Sequence, residues 1–307
     1  MTYTLIQTSN HHLCSQTLKQ LEISKKISHK GDNGKVLIIG GSTLFHAPPI
    51  WSAETVSHFA DMVHLSSTSE NIQLIHDMKV SFRNGIVIPH AKIEEYLKED
   101  DVILIGPGMV RGAINKDIQV NDFGEVLKIN DESMFTRVLT QYVLTKYPMK
   151  RFVLDAGALQ MMDNEWLINM QYKVVITPHI EEFHTLFGID LSDISIDGKV
   201  NIIEKTAQKY NVVILLKAVS DVISDGEKTY VVEGGNQGLT KGGTGDILAG
   251  LTASFYAKNN PVLSAISASI VIKSTADELF LSQGYWYNND DVLHKLSAIL
   301  KKIVYNE

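Results

Sequence analysis

Five short runs that are apolar at every position, 36–39, 102–105, 152–154, 174–176 and 212–216, constrain the fold more than any other feature of the chain. A strand with one wetted face alternates apolar and polar residues. A run without alternation is buried on both faces, as in a parallel sheet covered by helices. Between these runs lie stretches with apolar residues at helical spacing: 51–63, 132–147, 180–187, 198–210, 261–284 and 290–304. Residues 63–65 and 86–88 are candidate strands, and 93–97 suggest a short helix. Asp225-Gly226 between 221–224 and 228–232 signals a hairpin. The alternation predicts an α/β fold, an open and mostly parallel sheet with helices on both faces.

The chain has 307 residues and no linker, repeat or low-complexity stretch, so a single domain over 1–307 is expected. Residues 1–28 read as a polar N-terminal extension or helix of unassigned role, with a helical pattern at Leu13, Leu18, Leu21 and Ile27. A net charge of −7 argues against non-specific nucleic-acid binding. The single cysteine, Cys14, excludes an intramolecular disulfide framework. The N-terminus lacks a signal-peptide pattern, and no apolar run approaches the roughly 18 residues that span a bilayer. A cytoplasmic protein without a membrane partner is expected.

Polar or glycine residues follow the apolar strands: Gly40-Gly41-Ser42, Gly106-Pro107-Gly108, Asp155, Thr177-Pro178-His179 and Lys217. Ligands of open parallel sheets bind outside the carboxyl ends of the strands, so these segments are expected to converge on one crevice. Each residue also has a plainer reading. Asp155 suits a helix cap, Lys217 a snorkelling strand-end lysine, and His179 a residue that merely follows a proline turn. The group His179, Glu181, Glu182 and His184 lacks the His-Glu-x-x-His spacing. Its acids read as a solvated first helical turn that complements the dipole, not as a zinc site. His11, His12, His58 and His76 read as surface residues, and Cys14 as structural or incidental. Gly106 to Arg111 imitates a dinucleotide fingerprint poorly, and Thr240-Lys241-Gly242 is not a Walker A loop.

The chemistry is expected at Gly234 to Asp246, with six glycines in thirteen residues. The stretch follows a strand pattern and opens a helical one. Loop and first-turn N–H groups have no helical partner there, and the helix dipole adds positive charge, which makes an anion site. Gly242, Gly243 and Gly245 let the backbone approach a phosphate. Asp246 at a helix start suits a cap. Beside a phosphate, however, a carboxylate repels the ligand unless it has a chemical duty. The fitting duty is general base, taking a proton from a hydroxyl that attacks the terminal phosphate.

These motifs together resemble the ADP/ATP-dependent NAD(P)H-hydrate dehydratases, a branch of the ribokinase-like superfamily. The resemblance runs from His29-Lys30-Gly31-Asp32 through Gly106-Pro107-Gly108, Val153 to Leu159, Thr177-Pro178-His179 with Glu182-Phe183, Leu216-Lys217, and Gly235 to Gly250. Thr-Pro-His and Gly-Asn-x-Gly with Gly-Gly-Thr-Gly-Asp are specific in combination. The resemblance implies a ribokinase-like fold. It implies that hydrated NADH or NADPH is phosphorylated on its hydroxyl by ADP or ATP, and that elimination restores the reduced cofactor. Asp246 then matches the catalytic residue and also touches the substrate. Asn236, Gln237, Gly238, Leu239, Thr240, Lys241, Gly242, Gly243, Thr244 and Gly245 match the phosphate-holding stretch. Lys217, Ala218, Val219, Ser220 and Asp221 lie near the nucleotide, and Gly106, Gly108 and His179 face the hydrate. Mg²⁺ is expected to offset phosphate charge. A homo-oligomer is the family's habit, and the family's epimerase domain is not expected here.

There are four departures from the family pattern, and three of them touch the substrate side. Residues 43–51 are bulky and contain Pro48 and Pro49, where the family has a small-residue helix start. Val110, Glu181 and Ala218 replace family glycines. The phosphate-side block is intact, so the sequence supports phosphoryl chemistry more firmly than the acceptor. A superfamily kinase that phosphorylates a small alcohol with ATP is the alternative enzyme. A nucleotide-binding regulator without catalysis is the third reading, and Asp246 argues against it.

Overall fold

The computed structural model describes residues 3–22, 24, 27–77, 83–116 and 118–305. Ten strands form one sheet: β1 Thr4–Gln7, β2 Lys35–Ile39, β3 Met62–Ser66, β4 Ile86–Ile88, β5 Val102–Ile105, β6 Arg151–Leu154, β7 Val175–Ile176, β8 Val213–Leu216, β9 Asp221–Ser224 and β10 Thr229–Glu233. Their spatial order is β1-β10-β9-β8-β7-β6-β5-β2-β3-β4. Only β9 runs antiparallel to its neighbours. The expected open, mostly parallel α/β sheet is present.

The unbroken apolar runs have a direct cause. Along β2, Val36 and Ile38 enter one core, while Leu37 and Ile39 enter the other. The same division holds along β5, with Val102 and Leu104 against Ile103 and Ile105. One core is closed by helices His11–Leu18, Ala47–Ser57, Thr244–Tyr256, Pro261–Gln283 and Asn289–Tyr305. The other is closed by Ile93–Glu99, Glu132–Lys146, Ala156–Met161, Ile180–Phe187 and Ile196–Tyr210.

Some details differ from the sequence reading. The helix expected over 51–63 runs from Ala47 to Ser57, and 62–66 is strand. Pro48 and Pro49 open that helix because first-turn N–H groups have no helical acceptor to lose. Among the described residues of the N-terminal stretch only His11–Leu18 is helical, and Ile27 is 83% exposed. Residues 1, 2, 23, 25 and 26 of that stretch lie outside the described residues. The strand β1 had no sequence signal because only Ile6 of its four residues is buried. It extends the sheet at the edge, pairing in parallel with β10. Cys14 is buried, and burial pushes its thiol up to about 11, so it is an inert core group.

The ladder continues past the strand ends. Gly106 N–H donates to Ile39, Asp155 N–H to Ile105, Thr177 N–H to Leu154, and Lys217 N–H to Pro178, all at 2.8–3.1 Å. Because β8, β7, β6, β5 and β2 are neighbours, the residues after them form one row. Gly106 adopts φ +123°, and a Cβ there would lie 1.8 Å from the Asp155 carbonyl oxygen. Only glycine fits between the two strand ends.

Candidate active site at the strand ends

Lys217 is the hub of that row. Its Nζ lies 2.7 Å from Asp155 Oδ1 and 3.6 Å from Glu182 Oε2, and its side chain is 17% exposed. It is therefore not a snorkelling lysine. Asp155 stands at the N-cap of helix Ala156–Met161 but makes no side-chain cap hydrogen bond. Its buried carboxylate takes Lys217 and the Thr177 hydroxyl instead, the latter at 2.9 Å. Burial works against the Lys217 charge, but Asp155, then Glu182 and Asp246, outweigh it and hold the ammonium well above the usual lysine range.

His179 is aligned with Lys217 by a parallel bridge between the ends of β7 and β8. It caps helix Ile180–Phe187: its Nδ1 accepts from Glu181 N–H at 3.1 Å and Glu182 N–H at 3.3 Å. Glu182 answers by accepting from His179 N–H at 2.9 Å, which completes a capping box. The acids of this turn are thus not uniformly solvated as the sequence suggested. Glu181 is exposed, whereas Glu182 is 3% exposed and also accepts from Gln160 at 3.2 Å. Burial is tolerable because its oxygens are satisfied by a backbone N–H, an amide and an ammonium. His58, read as a surface residue, is exposed, and the desolvation that its neighbours do impose lowers its pKa. The side chain of His76 lies outside the described ones.

Gly234 to Asp246 closes over this row. Gly243 takes φ +105° and is the N-cap of helix Thr244–Tyr256, so Asp246 is the third residue of that helix. A Cβ at Gly245 would lie 3.4 Å from Lys217 Nζ, which places the helix start directly on the hub. Burial raises the Asp246 pKa, the charge of Asp155 raises it further, and Lys217 draws it back, leaving it at about 7. A carboxyl group balanced near neutrality, beside a turn rich in open N–H groups, is suited to take and return a proton.

The structure divides the expected residues by task. Lys217, His179, Gly245 and Asp246 meet at the crevice, joined by Asp155 and Glu182. Gly108 lies on the other side of Gly106, where its Cβ would meet Pro48 and Phe45. Asn236 serves its own loop: it accepts from Gly238 N–H and the Tyr287 hydroxyl, and it donates to Ala276. Gln237, Gly238, Leu239 and Thr240 form one tight helical turn, and the Thr244 hydroxyl ties it down through the Leu239 carbonyl at 2.7 Å. Lys241 donates to the Tyr285 carbonyl at 2.6 Å. Asp221 is likewise structural: it accepts from Ala218 N–H and the Ser269 hydroxyl and lies 3.4 Å from Lys273 Nζ. Lys273 also donates to the carbonyls of Ala218 and Val219, which leaves Val219 91% exposed beside Ser220.

The atypical segment 43–51 is a built turn that runs into helix Ala47–Ser57. The Thr43 N–H and hydroxyl both donate to Glu132, and Asn71 donates to the carbonyls of Ser42 and Phe45. Its far end reaches the glycine stretch, because a Cβ at Gly243 would lie 2.4 Å from the Trp51 ring and 2.1 Å from Asn289 Nδ2. Gly243→Ala combines that collision with a left-handed backbone. It is expected to raise the nucleotide Kd at least tenfold in a calorimetric titration. Two clefts, about 1180 Å³ beside Thr8 and Asp277 and about 300 Å³ beside Leu18 and Phe255, contain none of Asp155, His179, Glu182, Lys217 and Asp246, and the first touches the glycine stretch at Gly234.

Sequence reasoning did not weigh Thr177, Glu182 as a buried ion-pair partner, or Asn289. A buried glutamate carries no local signature, and Asn289 lies more than forty residues beyond the glycine stretch.

Comparison with known proteins agrees with this geometry. A family model described as NAD(P)H-hydrate dehydratase matches residues 36–298. The ADP-dependent (S)-NAD(P)H-hydrate dehydratase of Nitrosopumilus maritimus is 30% identical over 286 residues, covering 90% of this chain and 92% of its own length. A bifunctional NAD(P)H-hydrate repair enzyme of Methanocaldococcus jannaschii is 32% identical over 290 residues, covering 92% of this chain. The chain spans about half of that relative's length. The ADP/ATP-dependent NAD(P)H-hydrate dehydratase of Bacillus subtilis, co-crystallised with ATP and Mg²⁺, superposes with a TM-score of 0.74 at 19% identity, covering 95% of this chain and 96% of that one. A ribokinase-like superfamily protein of Enterococcus faecalis gives 0.76 at 21% identity, covering 97% and 96%. Those structures establish the ribokinase-like fold, and the sequence match establishes the family: this chain belongs to the NAD(P)H-hydrate dehydratases.

Proposed function

We propose that the protein is a nucleotide-dependent (S)-NAD(P)H-hydrate dehydratase. The observation that carries the reading is Asp246, a carboxyl group with a pKa near 7 in the first turn of the helix that follows the glycine stretch. The N–H groups of Gly242 to Gly245 hold the nucleotide's terminal phosphates. Asp246 takes the proton of the hydrate's hydroxyl as that oxygen attacks the terminal phosphorus. The C–O bond of the phosphorylated hydroxyl then breaks to release phosphate, the adjacent ring carbon gives up a proton, and the double bond so formed restores the reduced dihydronicotinamide. Lys217 keeps enough positive charge beside Asp246 for the carboxylate form to exist at neutral pH. Gly106, Gly108 and His179 line the hydrate side. Lys217 to Asp221 and Asn236 to Lys241 frame the nucleotide side.

ADP or ATP is the donor, and the names of the relatives support both. Among the described residues no three His, Cys, Asp or Glu side chains gather as a metal cage. A Mg²⁺ arriving on the phosphates would fit the site, with Asp155, Glu182 and Asp246 as the carboxylates beside Lys217. Such an ion would offset phosphate charge. Among the described residues no helix is long and apolar enough to cross a membrane. A cytoplasmic homo-oligomer completes the reading, supported by the free, buried Cys14 and by the exposed Leu44 and Phe45 on segment 43–51.

The test uses hydrated NADH and NADPH with Mg²⁺ and either ADP or ATP, followed at the reduced-nicotinamide absorbance band. Nucleotide-dependent recovery of the band is expected, and it names the donor. Absence of recovery with both donors, in protein shown to bind nucleotide, would replace this reading with the alcohol kinase, whose product is a phosphorylated small molecule.

A further inference from the structure

We propose that Asn289 is a positioning residue for the phosphate site, acting through the Gly242–Gly243 peptide. The proposal rests on the reading of the glycine stretch as that site. Asn289 comes from the last helix, far from the stretch in sequence, and is 8% exposed. Its Nδ2 donates to the Gly242 carbonyl at 2.8 Å. In a trans peptide the C=O and the following N–H point in opposite directions. Holding the Gly242 carbonyl inward against Asn289 therefore turns the Gly243 N–H outward, toward the open side of the turn. Nothing lies within 4 Å of a Cβ at Gly242, so the outward side has room for a ligand. Among the described residues the N–H groups of Gly242, Gly243 and Gly245 meet no acceptor.

Asn289 is itself rigidly placed. Asn288 N–H donates to Asp291 at 2.8 Å, and Asp291 N–H donates back to Asn288 at 3.0 Å, a reciprocal cap that fixes the start of helix Asn289–Tyr305. The Gly243 backbone and the Trp51 ring fill the adjoining space. The Asn289 Oδ1 is buried and has no hydrogen-bond partner among the described residues. A site that leaves that oxygen unsatisfied retains the amide for its other end, the donor that orients the peptide. A glycine-rich turn is otherwise free to flip this peptide, and a flipped peptide would present a carbonyl oxygen to the phosphates.

The experiment titrates the full chain with Mg²⁺-ADP, Mg²⁺-ATP and inorganic triphosphate by calorimetry, for wild type, Asn289→Ala and the uncharged, similarly sized Asn289→Leu. Both variants are expected to bind all three ligands about 10–100-fold more weakly, the loss of one charge-assisted donor. Asn289→Leu keeps the volume, adds no charge and removes the donor, so it separates orientation from packing. Its unfolding midpoint without ligand should stay near wild type. Wild-type affinity in Asn289→Leu would overturn the proposal while leaving the phosphate reading intact. A wild-type protein that binds none of the three ligands would overturn both.

Discussion

Asp246→Asn is expected to lower kcat by about 10³-fold while nucleotide still binds as well as before or tighter. Removing a positioned general base costs typically 10²–10⁴-fold, and the amide also removes a negative charge next to the phosphates. Steady-state assay of hydrate conversion with a parallel calorimetric titration separates the two effects. Turnover retained in Asp246→Asn would remove the base from the mechanism. The pH profile gives an independent check. With a pKa of about 7, the wild-type base is mostly protonated at pH 6, so kcat/KM should fall about tenfold per unit below 7 and level off above it.

Stability moves in the opposite direction. The Asp246 pKa is raised on folding, so the folded state binds the proton more tightly than the unfolded chain. Its contribution is fully favourable below the unfolded value of 3.8 and is lost as pH climbs through about 7. Asp246→Asn has no proton to lose. Above pH 7 it should therefore be more stable than wild type, by about 1–2 kcal/mol once partial exposure is allowed for. Thermal unfolding at pH 8 and pH 4 checks the sign: the variant's advantage should shrink toward acid. A catalytic carboxylate that weakens the fold at working pH is the expected mark of a site shaped for reaction.

Lys217→Met should be the most damaging single change to the fold of the site. It leaves Asp155 and Glu182, 1% and 3% exposed, without their ammonium partner. Breaking one side of a buried ion pair costs about 3–5 kcal/mol. Because Lys217 also draws the Asp246 pKa downward, the acid limb of the rate profile should move to higher pH in protein that remains folded. The check is a double-mutant cycle. Asp155→Asn in the Lys217→Met background should recover part of the lost stability, because it removes a stranded charge. It should also move the acid limb back toward pH 7, since Asp155 is the charge that raises Asp246 most. Additive losses in the pair would mean that the two side chains act separately.

What the chain made legible follows from how locally each feature is encoded. The doubly buried strands are written in consecutive residues, so β2, β5, β6, β7 and β8 and the row of polar residues after them can be read directly. Gly242 to Asp246 is equally local. Glu182 is different: the same acid at a helix start is solvated at position 181 and buried at 182, and only the arrival of Lys217 from another strand decides which. Asp155 offered two readings, helix cap or crevice residue, and its choice depends on Thr177 and Lys217, both distant in sequence. Asn289 could not be found from the glycine stretch, because its amide reaches Gly242 across 47 positions. The first strand was missed because an edge strand needs only one buried side chain, here Ile6, to hold its register.

That edge strand has a consequence for how the protein is made. Thr4 pairs with Tyr230, and Gln7 bonds Glu233 across 226 positions. At about 5–20 residues per second, a ribosome needs roughly 10–45 s to add that much chain. Of these ten strands, β1 must therefore wait for its partner until all the others have been synthesised. Its partner strand runs straight into Gly234, whose Cβ position is filled by Thr8. The glycine turn is thus clamped by a contact that closes among the last. Nascent chains would hold a formed central sheet well before they hold a phosphate site, so nucleotide can reward only the completed molecule.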